Sequence, residues 1–209
     1  MSEPLLPKRF LFRFSAPCLY RKDLWTSRGA RLGAEYRLAA LSELDGVTSS
    51  ADARAAWNDS GLAFSVHVQG KRQPPWCRTT RPEDSDGLQL WIDTRDVHNV
   101  HRASRFCHRF VFLPGGRGSK HEKPIAEWLP IHRAREQPRA IPSDSLLARG
   151  ELLDDGYLLQ AMIRADALTG FDVDEHPRLG FQYALVDREL GEQTLAAGEP
   201  MPYREDPSL

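Results

Sequence analysis

Apolar and polar residues alternate at period two in several short stretches of this chain, the signature of strands with two unlike faces. The most regular lies within residues 84–96, DSDGLQLWIDTRD, where Leu88, Leu90 and Ile92 alternate with Gln89, Trp91 and Asp93. Residues 9–14, RFLFRF, set Phe10, Phe12 and Phe14 against Arg9, Leu11 and Arg13, an opening edge strand with its arginines in water. Residues 54–57 and 62–68 read as a hairpin about the turn Asn58-Asp59-Ser60-Gly61, with Leu62, Phe64, Val66 and Val68 on one face. Phe106, Phe110 and Phe112 share a face of a strand over 106–113, and a short strand carrying Trp128 is expected over 125–131. A second hairpin joins 146–153 to 157–164 through Asp154-Asp155-Gly156, followed by one helical turn at 165–168. Residues 180–187, GFQYALVD, close the readable sheet with Phe181, Tyr183 and Leu185 on one side.

Between these stretches the pattern is irregular. Residues 31–44 have some helical spacing, but Gly29, Gly33 and Gly46 bracket and interrupt it, so an irregular arm with at most a turn or two of helix is expected. Residues 114–124, PGGRGSKHEKP, read as an exposed loop; they lack phosphate-cradle spacing, and Pro124 prevents a helix starting there. The sum is an all-β chain, an antiparallel jelly-roll-like or immunoglobulin-like β-sandwich over 51–209, preceded by an edge strand and irregular arm over 1–50.

Composition adjusts this picture in few places. The 209 residues can bury a real core, and 15 glycines and 15 prolines spread along the chain favour short elements. A formal net charge of -1 gives no reason to expect a nucleic acid partner. The three cysteines, Cys18, Cys77 and Cys107, form neither a disulfide framework nor a C-x-x-C pair, although one bridge, for instance Cys77 to Cys107, stays open. No membrane span and no signal-peptide core is visible, so a soluble chain is expected and export is unsupported.

The order of four pieces resembles the family 9 carbohydrate-binding modules, within the wider superfamily of DOMON-like sandwiches. Trp57-Asn58-Asp59 leads into 62–68 as the family's W-D/N hairpin does, and Asp86 to Asp93 is similar to its D-s-v-e-l-f-i-D strand. Residues 156–163 resemble its G-y-x-x-E-x-x-I strand, with Gln160 at the glutamate position, and 179–187 resemble its closing strand. The resemblance implies a sandwich without catalysis of its own that binds sugar, linked to carbohydrate catabolism. It also implies a further strand beyond a D-P-s-x-W-G turn; the sequence stops at Asp206-Pro207-Ser208-Leu209, so that strand is expected to be missing. Sugar-binding members clamp a terminal sugar between two loop tryptophans. Trp76 matches the first, whereas 191–200 hold no tryptophan and only Tyr203 lies nearby.

The candidate ligand-binding residues follow. Trp76 offers a flat indole to the C–H face of a sugar, and Pro74-Pro75 restrict the backbone before it. The bland alternative is a tryptophan folded over a core edge. Arg78, Arg81, Asp84 and Asp86 can serve vicinal hydroxyls in pairs, or form an ordinary solvated loop. Trp91, opposite the core face of its strand, is either an exposed platform, a docking face for a protein partner, or covered by the N-terminal arm. For metals, His98, His101 and Asp96 could converge, but Cys107 and His108 point to opposite faces of their strand. A structural calcium on Asp84, Asp86, Asp93 or Asp96 fits loop geometry better, and no other cofactor is expected. A haem-binding alternative needs an axial Met/His pair, with only Met162 and Met201 internal. No catalytic elbow, metalloprotease helix or singled-out carboxylate pair argues for an enzyme.

Overall fold

The computed structural model describes residues 15–39, 49–97, 102–142 and 144–195. The strand expected over 9–14, His98, His101, Met201, Tyr203 and the C-terminal tail lie outside them. Within the described residues the chain forms ten strands: β1 (Leu19–Tyr20), β2 (Ala51–Asn58), β3 (Gly61–Gln69), β4 (Gly87–Asp93), β5 (Cys107–Arg117), β6 (Lys123–Leu129), β7 (Leu146–Leu153), β8 (Gly156–Arg164), β9 (Gly180–Asp187) and β10 (Gly191–Thr194). They make two five-stranded sheets, β1-β2-β3-β8-β7 and β10-β9-β4-β5-β6. All pairings are antiparallel except the short β1–β2 contact. Among the described residues no helix is long and apolar enough to cross a membrane.

Alternation puts one face of each central strand into a shared core. Leu62, Phe64, Val66 and Val68 of β3 and Tyr157, Leu159, Ala161 and Ile163 of β8 face Leu88, Leu90 and Ile92 of β4, Phe110 and Phe112 of β5, and Tyr183 and Leu185 of β9. The registers agree with this, pairing Leu62 with Ile163 and Val68 with Tyr157 in one sheet and Leu90 with both Phe110 and Tyr183 in the other. Phe64 and Phe181 stack across the gap with centroids 5.9 Å apart. The β2–β3 reversal uses a two-residue turn, in which Asn58 Oδ1 accepts the Ser60 N–H at 2.8 Å. Gly61 follows at φ 137°, where a side chain would be strained.

The arm packs on the outer face of the first sheet. Leu24, Ala30 and Leu32 bury themselves against Ala56, Ala63 and Met162. The Trp57 indole N–H donates to the Cys18 carbonyl at 2.9 Å, and the Asn58 amide donates to the carbonyls of Arg21 and Lys22 at 3.1 and 2.8 Å. Of the expected helical turns, the described part of 31–44 forms a single 3-10 turn, Ala34–Tyr36.

Three expectations need correction. Residues 114–117 are not loop: β5 continues to Arg117, and Pro114, Gly115 and Gly116 are buried. A register shift between Leu113 and Arg117 accommodates a proline with no N–H and Gly116 at φ 113°. The sheet does not close at Asp187, because β10 pairs with β9. The Cys77–Cys107 bridge does not form, and all three cysteines are free.

Candidate functional site

The loop from Gly70 to Asp86 joins β3 to β4 and meets the β9–β10 turn at one end of the sandwich. Where they meet, a buried ion cluster holds them. The Lys71 ammonium, its side chain 2% exposed, donates to Asp187 Oδ1 and Oδ2 at 2.7 Å and to Asp86 Oδ2 at 3.1 Å. Burial alone would lower its pKa, but the hydrogen bonds it donates to Asp187 and Asp86 outweigh burial and hold it above the ordinary lysine value. Desolvating three charges is expensive, and it is sustained here because the carboxylates are also bonded to backbone N–H groups. Asp187 Oδ1 accepts from Glu189 and Leu190 at 2.9 and 3.0 Å, and Asp86 Oδ1 accepts from Arg188 at 2.8 Å.

Asp86 also fixes Trp76. Its Oδ2 accepts the Trp76 N–H at 3.0 Å, and its own N–H donates to the Trp76 carbonyl at 2.8 Å. The tryptophan backbone is therefore clamped on both sides by one buried residue, after two prolines that already restrict φ. Ser85 stitches the rest of the loop, accepting the Arg78 N–H at 2.9 Å and donating to the Arg81 carbonyl at 2.8 Å. Burial pushes the Cys77 thiol up to about 11, so it is no nucleophile.

Above this foundation lies an open cavity of about 490 Å³ lined by Lys71, Gln73, Pro74, Pro75, Trp76, Asp86, Arg188 and Glu189. Trp76 is half-buried. The exposed arginines Arg78 and Arg188 bring guanidinium carbons within 4.5 and 5.1 Å of its ring centroid. The Glu189 carboxylate accepts the N–H groups of Arg72 and Gln73 at 3.0 to 3.1 Å, which ties the rim of the turn to the rim of the loop. An apolar ring edged by hydrogen-bonding groups is an arrangement suited to a polar ligand with one apolar face.

The sequence candidates scatter. Trp76 lines the cavity, and Arg78, which does not line it, lies over the Trp76 ring. Asp86 lines it but is 1% exposed, with its oxygens committed to Lys71, Trp76 and Arg188, so it supports the site from beneath. Arg81 and Asp84 are exposed, pair with each other at 4.0 Å, and do not line the cavity. Trp91 is not an exposed platform or docking face: it is 4% exposed, packed with Ala184 under the Arg109 guanidinium. The described part of the N-terminal arm lies on the other sheet, and the rest of the arm lies outside the described residues. Lys71, Gln73, Arg188 and Glu189 were missed. Arg188 and Glu189 follow a strand ending in Asp187, and nothing in LVDREL says that it meets a loop more than a hundred residues earlier.

Of the metal candidates, His98 and His101 lie outside the described residues, and the others are engaged locally. Asp93 Oδ1 and Oδ2 accept the N–H groups of Arg95 and Val97 at 3.0 and 2.9 Å, a turn-closing role. Asp96 sits in that turn at φ 48°. His108 points into the core and stacks on Phe110, centroids 5.8 Å apart, on the opposite side of β5 from Cys107. Among the described residues no three His, Cys, Asp or Glu side chains gather as metal ligands. Met162, one of the two internal methionines available for the axial Met/His pair of a haem, is buried beneath the arm.

No protein-family model and no curated protein sequence matches the chain. Solved structures do match its fold. A family 9 carbohydrate-binding module from Caldicellulosiruptor kristjanssonii in complex with glucose aligns with a TM-score of 0.51 at 12% identity, covering 85% of this chain and 83% of that one. A family 9 module from the same organism in complex with cellotriose aligns with a TM-score of 0.44 at 15% identity, over 87% of this chain and 78% of that one. At such identities the first likeness speaks for architecture, and on architecture it is plain: the chain has the fold of the family 9 carbohydrate-binding modules.

Proposed function

We propose that the protein binds carbohydrate without transforming it, as an accessory to carbohydrate breakdown, with Trp76 as the surface on which a sugar ring stacks. The observation that carries this reading is the clamped, half-buried Trp76 beside a polar cavity of about 490 Å³, a volume suited to a mono- or disaccharide. The fold likeness to a module in complex with glucose supports it. Gln73, Arg188 and Glu189 supply donors and acceptors around the ring for hydroxyl groups. The guanidinium contacts on the indole are no obstacle. At exposed sites each is worth about 0.5–1 kcal/mol, so a stacking sugar can displace one.

Intrinsic tryptophan fluorescence, titrated with mono- and oligosaccharides on wild type and Trp76→Ala, tests the reading. A saturable shift that vanishes in the variant is expected. Silence from every sugar, acidic ones included, with the protein folded, overturns it.

A further inference from the structure

We propose that the sugar this site takes is acidic: a uronic acid whose ring stacks on Trp76 and whose carboxylate is held by Arg78 and Arg188. The inference rests on the sugar-binding reading above and goes further, to the class of sugar. It begins with which charges are spent and which are not.

Lys71 is spent, since its three protons point at Asp86 and Asp187. Those two carboxylates are 1% and 4% exposed as residues and turn inward to the lysine and to backbone N–H groups. Glu189 is largely engaged, with its oxygens on two backbone N–H groups and 3.9 Å from Lys71. Arg78 and Arg188 differ. Both are exposed, both lie on the indole, and among the described residues neither pairs with a carboxylate. Two guanidiniums without a carboxylate partner therefore stand at the ring, against the single exposed carboxylate of Glu189 at the rim, although the whole chain is near neutral.

Position sharpens the argument. The carboxylate of Asp86 bonds the backbone N–H of both Trp76 and Arg188, so the ring and one cation start from backbones fixed to a common residue. Arg78 has its backbone N–H fixed by Ser85. A neutral sugar stacking on Trp76 displaces a guanidinium and offers it only hydroxyls in return. A uronate offers a carboxylate a few ångströms from the ring plane, where it accepts two N–H groups donated by a planar guanidinium. The displaced arginine is then re-engaged at the rim instead of being released to water.

The test compares methyl β-glucoside with methyl β-glucuronide, which differ only in the oxidation of C6, on the full chain by tryptophan fluorescence. The glucuronide is expected to bind about tenfold tighter at low salt, and the preference is expected to shrink as salt screens the exposed pair. In the Arg78→Gln, Arg188→Gln double variant, folded as judged by its urea midpoint, the ratio of the two affinities should fall to near one. Equal binding of both glycosides by wild type, or a preference that survives the double variant, overturns the inference while the sugar reading stands. Acetate competing as well as the glucuronide also overturns it, since the arginines would then hold any carboxylate. If neither glycoside binds while other neutral sugars do, the uronate inference again falls alone; if nothing binds, both fall.

Discussion

Asp86 shows how one residue connects stability to the site. It is a ligand of Lys71, a two-sided clamp on Trp76 and an acceptor for Arg188. Removing it leaves a buried ammonium with Asp187 as its remaining close carboxylate, and orphans two backbone N–H groups. Asp86→Ala should therefore cost about 3 kcal/mol in urea unfolding, whereas Arg81→Ala, 71% exposed in its side chain, should cost within about 0.5 kcal/mol. Equal losses would contradict the clamp. The sequence marks Asp86 as an acid at the mouth of a strand but says nothing of its partner. A lysine two residues after a strand reads as a solvated loop residue until the fold brings Asp187 to it. Trp76 was legible because proline-proline-tryptophan stands out locally. Its neighbour Arg188 was not, because its relation to the ring exists only in three dimensions.

At the scale of elements, alternation was enough for β3, β4, β8 and β9, and the turn residues Asn58, Asp59 and Gly61 were enough for β2. It failed at β5, where Pro114-Gly115-Gly116 has the composition of a turn yet lies inside a strand as an irregularity in the ladder. The reason is packing between the sheets. Gly150 of β7 faces the Pro114 carbonyl so closely that a Cβ there would collide with it. Edge strand β7 thus meets β5, the strand next to the edge of the other sheet, backbone to backbone, and leaves no room for a side chain at Gly150. Gly150→Val should destabilise the fold by about 2–3 kcal/mol, read as a lowered urea midpoint. A stability equal to wild type would mean that the sheets do not approach there. Trp91 as an exposed platform fails for a related reason: the period says that it faces away from the core, but not that this outer face is itself buried, with Arg109 and Ala184 against the ring.

For the whole molecule, two sheets enclose the core, the described part of the arm covers one outer face, and the cavity opens at one end where the 70–86 loop meets the β9–β10 turn. A global consequence follows from His108, fully buried within this core. Burial lowers its pKa to about 4; the Thr169 backbone, near but outside hydrogen-bonding geometry, offsets this only in part. Because the unfolded chain takes up the proton near the ordinary value of 6.5 and the folded chain does not, stability is intact above pH about 6.5. It is lost as pH falls from there towards 4, by an amount on the order of 3 kcal/mol. His108→Leu should flatten that limb of a pH series of urea midpoints relative to wild type; parallel curves would contradict it. The central claim is that ligand meets the protein at Trp76, and five tryptophans make it directly readable. Indole N–H resonances of uniformly ¹⁵N-labelled protein, assigned by single Trp→Phe variants, would be followed during titration with methyl β-glucuronide and with neutral glycosides. The account expects the Trp76 resonance to move in a saturable way while those of Trp25, Trp57, Trp91 and Trp128 stay in place. Saturable movement at another tryptophan with Trp76 unmoved, or no movement with any sugar, would contradict it.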